Sequence, residues 1–139
     1  MTVQQESESV NVVELRIPCK PEFVSVARLA VAGIANRLHF TVEEIEDVKL
    51  AVAEACTNCI QHSPHANEIV LTSEMAPEEL RIVVRDNGGG RSGGEESAEL
   101  GGGRLGIFLI RSLMDDVEYR RDEGAGLFLR MVKRVAGST

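Results

Sequence analysis

The sequence predicts an α+β fold, a two-layer sandwich in which a mixed, mostly antiparallel sheet carries helices on one face, and three observations point there. An early strand pattern is followed by two stretches of helical period, two pairs of alternating segments come later, and most of the 13 glycines crowd into residues 88–106. Strand pairs joined by short turns, with the helices kept apart from them, favour an antiparallel sheet over an alternating βαβ architecture.

Each element has its own reason. Val10 to Ile17 alternates with one slip, as a half-buried strand does, and Pro18 ends it. From Glu22 to Leu38 the apolar residues Phe23, Val26, Ala27, Ala30, Val31, Ile34 and Leu38 recur at three and four, which describes a helix with one buried face. Thr41 followed by Glu44 is a capping box, so a second helix is expected from there to about His62, stopped by Pro64. Ile69 to Ser73 and Leu80 to Arg85 alternate, and Met75 to Glu79, with Pro77, reads as the turn between them. Asn87 to Gly103 is too rich in glycine for a regular element and too long for a mere connection, so it reads as a lid. Leu105 to Met114 is apolar nearly all round and predicts a short helix buried on several sides; Val117 to Arg121 and Leu127 to Val132 follow as strands.

A length of 139 residues with 43% hydrophobic and 27% charged residues suits one globular domain, expected over 10–135 behind a flexible, polar tail over 1–9. The net charge of -7 offers no general attraction to nucleic acid or anionic lipid, so an anionic ligand has to be held locally. No apolar run approaches the length of a membrane span, and three cysteines in a chain of this size suit a reducing compartment; the expectation is a cytoplasmic protein.

Three segments are candidates for chemistry. On the second helix Ile45, Val48, Val52, Cys56 and Cys59 form one stripe, and Asp47, Ala51, Glu54, Asn58 and His62 form another side. Asn is a poor helix-interior residue, and Glu54 and Asn58, one turn apart, are either a convergent pair or two surface residues. As a pair they suit a hard cation on the Asn58 oxygen and a proton on Glu54. The second segment is Arg85-Asp86-Asn87-Gly88-Gly89-Gly90, where a carboxylate ends a strand. Asp86 can accept a hydrogen bond from an exocyclic amine while Gly88 and Gly90 let the backbone pass close to a flat ring; Asp-Asn-Gly is equally a turn signal. The third is Gly101-Gly102-Gly103-Arg104-Leu105-Gly106, which opens a helix whose free amides suit phosphates. Its spacing matches GxGxxG, but no strand precedes it, and a P-loop is absent from the chain.

In their order and spacing these segments resemble the GHKL ATPase superfamily. More narrowly, Glu54-Ala-Cys-Thr-Asn58 with His62, Asp86 to Gly90, and Gly106-Ile-Phe-Leu-Ile-Arg-Ser-Leu-Met-Asp-Asp-Val are similar to the serine-protein kinase anti-sigma factors, over about Leu15 to Lys133. The resemblance implies a histidine-kinase-like ATPase fold with a glycine-rich ATP lid. It also implies a cytoplasmic kinase using ATP and Mg2+, a homodimer that binds a sigma factor or phosphorylates a serine on a STAS-domain anti-anti-sigma protein, and that touches neither nucleic acid nor membrane. By the same resemblance Glu54 is the catalytic base and Asn58 the magnesium ligand. Asp86 contacts adenine, Gly88, Gly90, Gly103, Arg104, Leu105 and Gly106 line the nucleotide, and Arg28 faces the partner.

The chain departs from the family pattern in two places. Arg104 stands where relatives usually carry glycine, with Gly102 at the place of a lid arginine, and Phe128 stands where relatives often have a threonine near the adenine. Cys56 and Cys59 spell CxxC, but on an apolar helical stripe with no second pair they are expected to pack the core. His39 and His65 are expected at the surface or in loops, and His62 as a phosphoacceptor would require a helical-bundle domain for which the chain has no room. Two rival functions share these residues: a nucleotide-binding partner switch that transfers no phosphate, and a switch kinase that acts on a STAS scaffold and activates a phosphatase. An intact Glu54 speaks against the first, and Arg28 with the Leu-Met-Asp-Asp-Val ending favours sigma binding over the second.

Overall fold

In the computed structural model the described residues are 2–5, 11–63, 65–87, 102–122 and 126–136. The first strand, β1, is Thr2–Gln5, inside the stretch expected to be a tail, and it pairs antiparallel with β2, Asn11–Pro18. A single 3-10 turn, Pro21–Phe23, leads into α1, Val24–Ala35, and then comes α2, Val42–His62. Strands β3, Glu68–Met75, and β4, Glu79–Asp86, precede helix α3, Gly102–Leu113, and the chain closes with β5, Asp116–Asp122, and β6, Gly126–Arg134.

The strands form one six-stranded sheet in the order β1-β2-β3-β4-β6-β5, with every described pairing antiparallel. Alternation assigns its faces. Ile69, Leu71, Leu80, Ile82, Val84, Leu127, Leu129 and Met131 are buried with Val31, Val48, Val52, Cys56 and Ile110 of the helices in one core. The opposite face carries charged ladders such as Glu14–Arg16–Glu68 and Glu118–Arg120. This is the expected α+β sandwich, with α1, α2 and α3 in the second layer and α2 packed against both other helices.

The entry to α2 is local chemistry read directly from the sequence. Thr41 Oγ1 accepts from the Glu44 amide at 3.0 Å, and the Thr41 amide donates to Glu44 Oε1 at 2.8 Å, so two orphan donors are satisfied at once. Helix α3 differs from expectation in two ways. It starts at Gly102, three residues before Leu105, so Gly102 and Gly103 form its first turn. Nor is it buried on several sides: Gly106, Ile107 and Ile110 face inward, whereas Leu105 and Phe108 are 71% and 70% exposed. Its far end is bolted down, for Lys133 Nζ donates to the Leu113 carbonyl at 2.6 Å and reaches Asp47 Oδ2 at 3.4 Å. Asp115 adds two more ties, its amide to the Val132 carbonyl at 2.8 Å and its carboxylate from the Arg134 amide at 2.6 Å.

Candidate nucleotide site

Helix α2 presents its second side to α3. Ala51, Asn58 and His62 are buried there and Glu54 is half-buried, so the pair is convergent and the reading as two surface residues does not hold. Asn58 Nδ2 donates to the Glu54 carbonyl one turn back, at 3.0 Å. That bond uses the amide's donor side, and Asn58 Oδ1 is left buried with no hydrogen-bond partner among the described residues. A buried acceptor in this condition costs about 1–3 kcal/mol. An oxygen donor of this kind is what a hard cation such as Mg2+ takes, so the residues present fit that ion.

Gly106 completes this corner. A Cβ at that position would meet Asn58 Nδ2 at 2.8 Å and Glu54 Oε1 at 3.0 Å, closer than a side chain is tolerated, so glycine is required for α3 to lie against the pair. Because α3 begins at Gly102, its free amides belong to its first turn, Gly102 to Leu105, which holds the candidates Gly103, Arg104 and Leu105. Gly106 lies past that turn and serves by close approach. The helix dipole makes the Gly102 end the place for an anion.

Asp86 ends β4 on the inner face of the sheet and is buried. Its Oδ2 accepts from the Leu127 amide at 3.4 Å, and its carboxylate also accepts the Cys59 thiol hydrogen. Burial and this carboxylate push the Cys59 thiol well above its ordinary range, and burial, with Cys19 nearby, pushes Cys56 up to about 12. Both are free, neutral thiols within the core, as expected of the CxxC pair, and Cys59 in addition touches the candidate adenine acceptor. Asn87 fixes the strand end from the other side: its Oδ1 accepts from the Asn67 amide at 2.9 Å, and its amide donates to the Glu68 carbonyl at 3.2 Å. Asn87 thus clasps the end of the strand that carries Asp86.

The Phe128 side chain does not share a face with Asp86. Residues 127, 129 and 131 point inward, and Phe128 lies on the outer face with the Arg120 guanidinium 4.0 Å above its ring centroid. Leu127 holds the position beside Asp86. Gly88 and Gly90 lie outside the described residues, as does most of the segment read as a lid. Arg28, the partner candidate, is exposed on α1 and borders a groove of about 360 Å³ lined also by Glu46, Asp47, Lys49, Leu50 and Ala53.

Sequence reasoning missed Arg121 and the burial of His62. Paired with Leu127, Arg121 points inward from the edge strand, and its Nη1 donates to the His62 carbonyl at 3.3 Å, a cation on the negative end of α2. His62 is 4% exposed, neither ring nitrogen has a partner among the described residues, and burial together with the Arg121 charge holds its pKa below the ordinary histidine value. The inward alternation of Val117, Tyr119 and Arg121 is the signal that was available for this contact.

The described residues offer a buried carboxylate at the end of β4, the free amides of the first turn of α3, and, on α2, a buried amide oxygen one turn from a half-buried carboxylate. The family model of the histidine kinase-like ATPase domain matches residues 17–133. The serine-protein kinase RsbW of Halalkalibacterium halodurans is 41% identical, over 83% of this chain and 79% of the relative. Those of Bacillus pumilus and Bacillus cereus are 36% and 37% identical, over 85% and 84% of this chain and 83% and 82% of theirs. No helix among the described residues is long and apolar enough to cross a membrane. With its antiparallel sheet, its buried Asp86 and its Glu54–Asn58–Gly106 corner, this chain belongs to the histidine kinase-like ATPase domain family and, within it, to the RsbW serine-protein kinases.

Proposed function

We propose that this protein is an anti-sigma factor and ATP-dependent kinase that sequesters a sigma factor and, as the alternative, phosphorylates a serine on a STAS-domain anti-anti-sigma protein. The observation that carries the chemical part is Asn58, whose buried oxygen is left without a hydrogen-bond partner among the described residues, one helical turn from Glu54. Asp86 accepts the adenine amino group, and the first turn of α3, through Gly103, Arg104 and Leu105, donates amides to the phosphates. Asn58 would hold Mg2+, which would supply charge neutralisation at the phosphates. Glu54 accepts the proton of the serine hydroxyl as its oxygen bonds to the terminal phosphorus; the bond from that phosphorus to the bridging oxygen breaks, and ADP leaves with the electron pair. Phosphoryl transfer asks little more of a protein than this positioning.

Arg28 and its groove face the partner in a homodimer that presents both copies on one side. A sigma factor as partner places the protein in the cytoplasm. The test is transfer of label from ATP to the STAS-domain protein encoded beside it. Transfer to a single serine is the expected result; sigma binding with no transfer would leave a partner switch without chemistry.

A further inference from the structure

The arginines on the outer face of the sheet fall into two groups. Arg16 is held between Glu14 at 2.8 Å and Glu68 at 2.7 Å, and Arg81 between Glu74 at 3.3 Å and Glu79 at 2.8 Å. Around Phe128 the balance is different. The register sets Arg85 of β4 and Arg120 of β5 directly opposite Phe128, one on each side, and Arg130 follows two residues along β6 on the same face. Arg85 and Arg120 are exposed, and Phe128 and Arg130 are half-buried. Diagonal neighbours in a sheet are about 7–8 Å apart, so Arg130 stands at that distance from both of the others. Among the described residues neither Arg85 nor Arg130 makes an ion pair, and Glu118, the carboxylate opposite Arg130, pairs with Arg120 at 2.9 Å.

We propose that this patch binds an extended acidic segment of a partner protein, with carboxylates on alternate residues. The inference is independent of the nucleotide site, whose Asp86 is on the other face of the same sheet. Three like charges around one ring repel one another, and in a chain of net charge -7 they form a local positive patch that an acidic group would neutralise. Alternate residues of an extended chain project to one side about 6.8 Å apart, which matches the diagonal spacing of the arginines. The page also favours a short acidic segment over the other anionic partners. A base would need the face of Phe128 to stack on, and the Arg120 guanidinium already covers it at 4.0 Å. A long polyanion or a flat anionic membrane would also meet the net negative charge and the carboxylates of Glu14, Glu68, Glu74 and Glu79 on the same face.

The experiment titrates a blocked pentapeptide, with glutamate at its first, third and fifth residues and threonine between them, into the full chain labelled with nitrogen-15. Saturable shifts are expected for amides of β4, β5 and β6 near Phe128. Affinity should fall roughly tenfold in Arg85→Glu with Arg130→Glu, where attraction becomes repulsion, and by less than about threefold in Arg85→Lys with Arg130→Lys, which keeps the charge. Should the double glutamate variant fail to fold by circular dichroism, Arg130→Ala alone, with an expected loss of about threefold, carries the test. Full affinity in the folded variant, shifts confined to α1 and α2, or tighter binding of a short thymidine oligonucleotide or of phosphatidylserine vesicles than of the peptide overturns the proposal.

Discussion

Gly106 and Asn58 are packed so closely that the smallest side chain cannot be placed between them: a Cβ on Gly106 would stand 2.8 Å from Asn58 Nδ2. Asn58 cannot easily give way, being buried and tied to the Glu54 carbonyl. Gly106→Ala is therefore expected to destabilise the fold by about 1–3 kcal/mol through overpacking. It should also weaken Mg2+-dependent nucleotide binding more than binding in EDTA, which calorimetry with and without the metal would measure.

Glu54→Gln separates affinity from chemistry. The amide keeps the shape and loses the base, so transfer to the STAS-domain protein should fall by roughly 10²-fold or more while ADP and sigma affinities hold. Parallel loss of all three in binding and transfer assays would make Glu54 a structural residue.

Asp86 is read by one partner it can keep and one it cannot. In Asp86→Asn an oxygen can still accept from the Leu127 amide, but the charge is gone and a donor can face the adenine amine. Nucleotide affinity should fall by about 10- to 100-fold, as for a hydrogen bond to a charged group, in a titration followed by calorimetry.

His62 gives the fold a pH dependence with a definite sign. Its pKa in the folded protein is below the ordinary 6.5, first from burial and then from the Arg121 charge. The unfolded chain therefore binds the proton more readily. The contribution of the neutral ring is complete above about pH 6.5 and is lost as the pH falls below it, with a slope of at most about 1.4 kcal/mol per pH unit for one proton. Denaturant unfolding between pH 7.5 and 5.5 should show a steeper decline for the parent than for His62→Asn, and equal slopes would remove His62 as the source.

Cys56 and Cys59 should behave as buried thiols. A thiol reagent at pH 8 is expected to label half-buried Cys19 first and to reach the other two only on unfolding. Cys56→Ala with Cys59→Ala should cost about 1–3 kcal/mol and leave Asp86 able to bind nucleotide, whereas stoichiometric zinc by elemental analysis would contradict the packing role.

What the sequence made legible was local. The Thr41–Glu44 box set the start of α2 to the residue, and the spacing of Glu54 and Asn58 placed them on one side of that helix. The start of α3 was not legible, because glycines are poor helix formers and Gly102 and Gly103 enter the first turn against their propensity. Nor was β1, whose polar residues show no alternation to read and which is marked by its backbone pairing with β2. Phe128 was ambiguous for a different reason. Its neighbours Leu127 and Leu129 are also apolar, so alternation could not say which set faced inward, and the ring is accommodated outside by Arg120. The Cys59–Asp86 contact joins a helix to a strand end, a pairing with no trace in spacing.

The bolts at the end of α3 give that helix the mechanics of a lever. Its C-terminal end is held by Lys133 and Asp115 to α2 and β6, while toward its other end Gly106 lies against Asn58. Over 12 residues the arm is about 18 Å long. A tilt of about 10° about the fulcrum at 113–115 carries the Gly102 end through about 3 Å, roughly the breadth of an oxygen atom, but displaces residues near Ile110 by less than 1 Å on the same arm. Such a tilt would spare the core under Ile110, move buried Ile107 by about 1.5 Å and put the largest travel on the Gly102 turn.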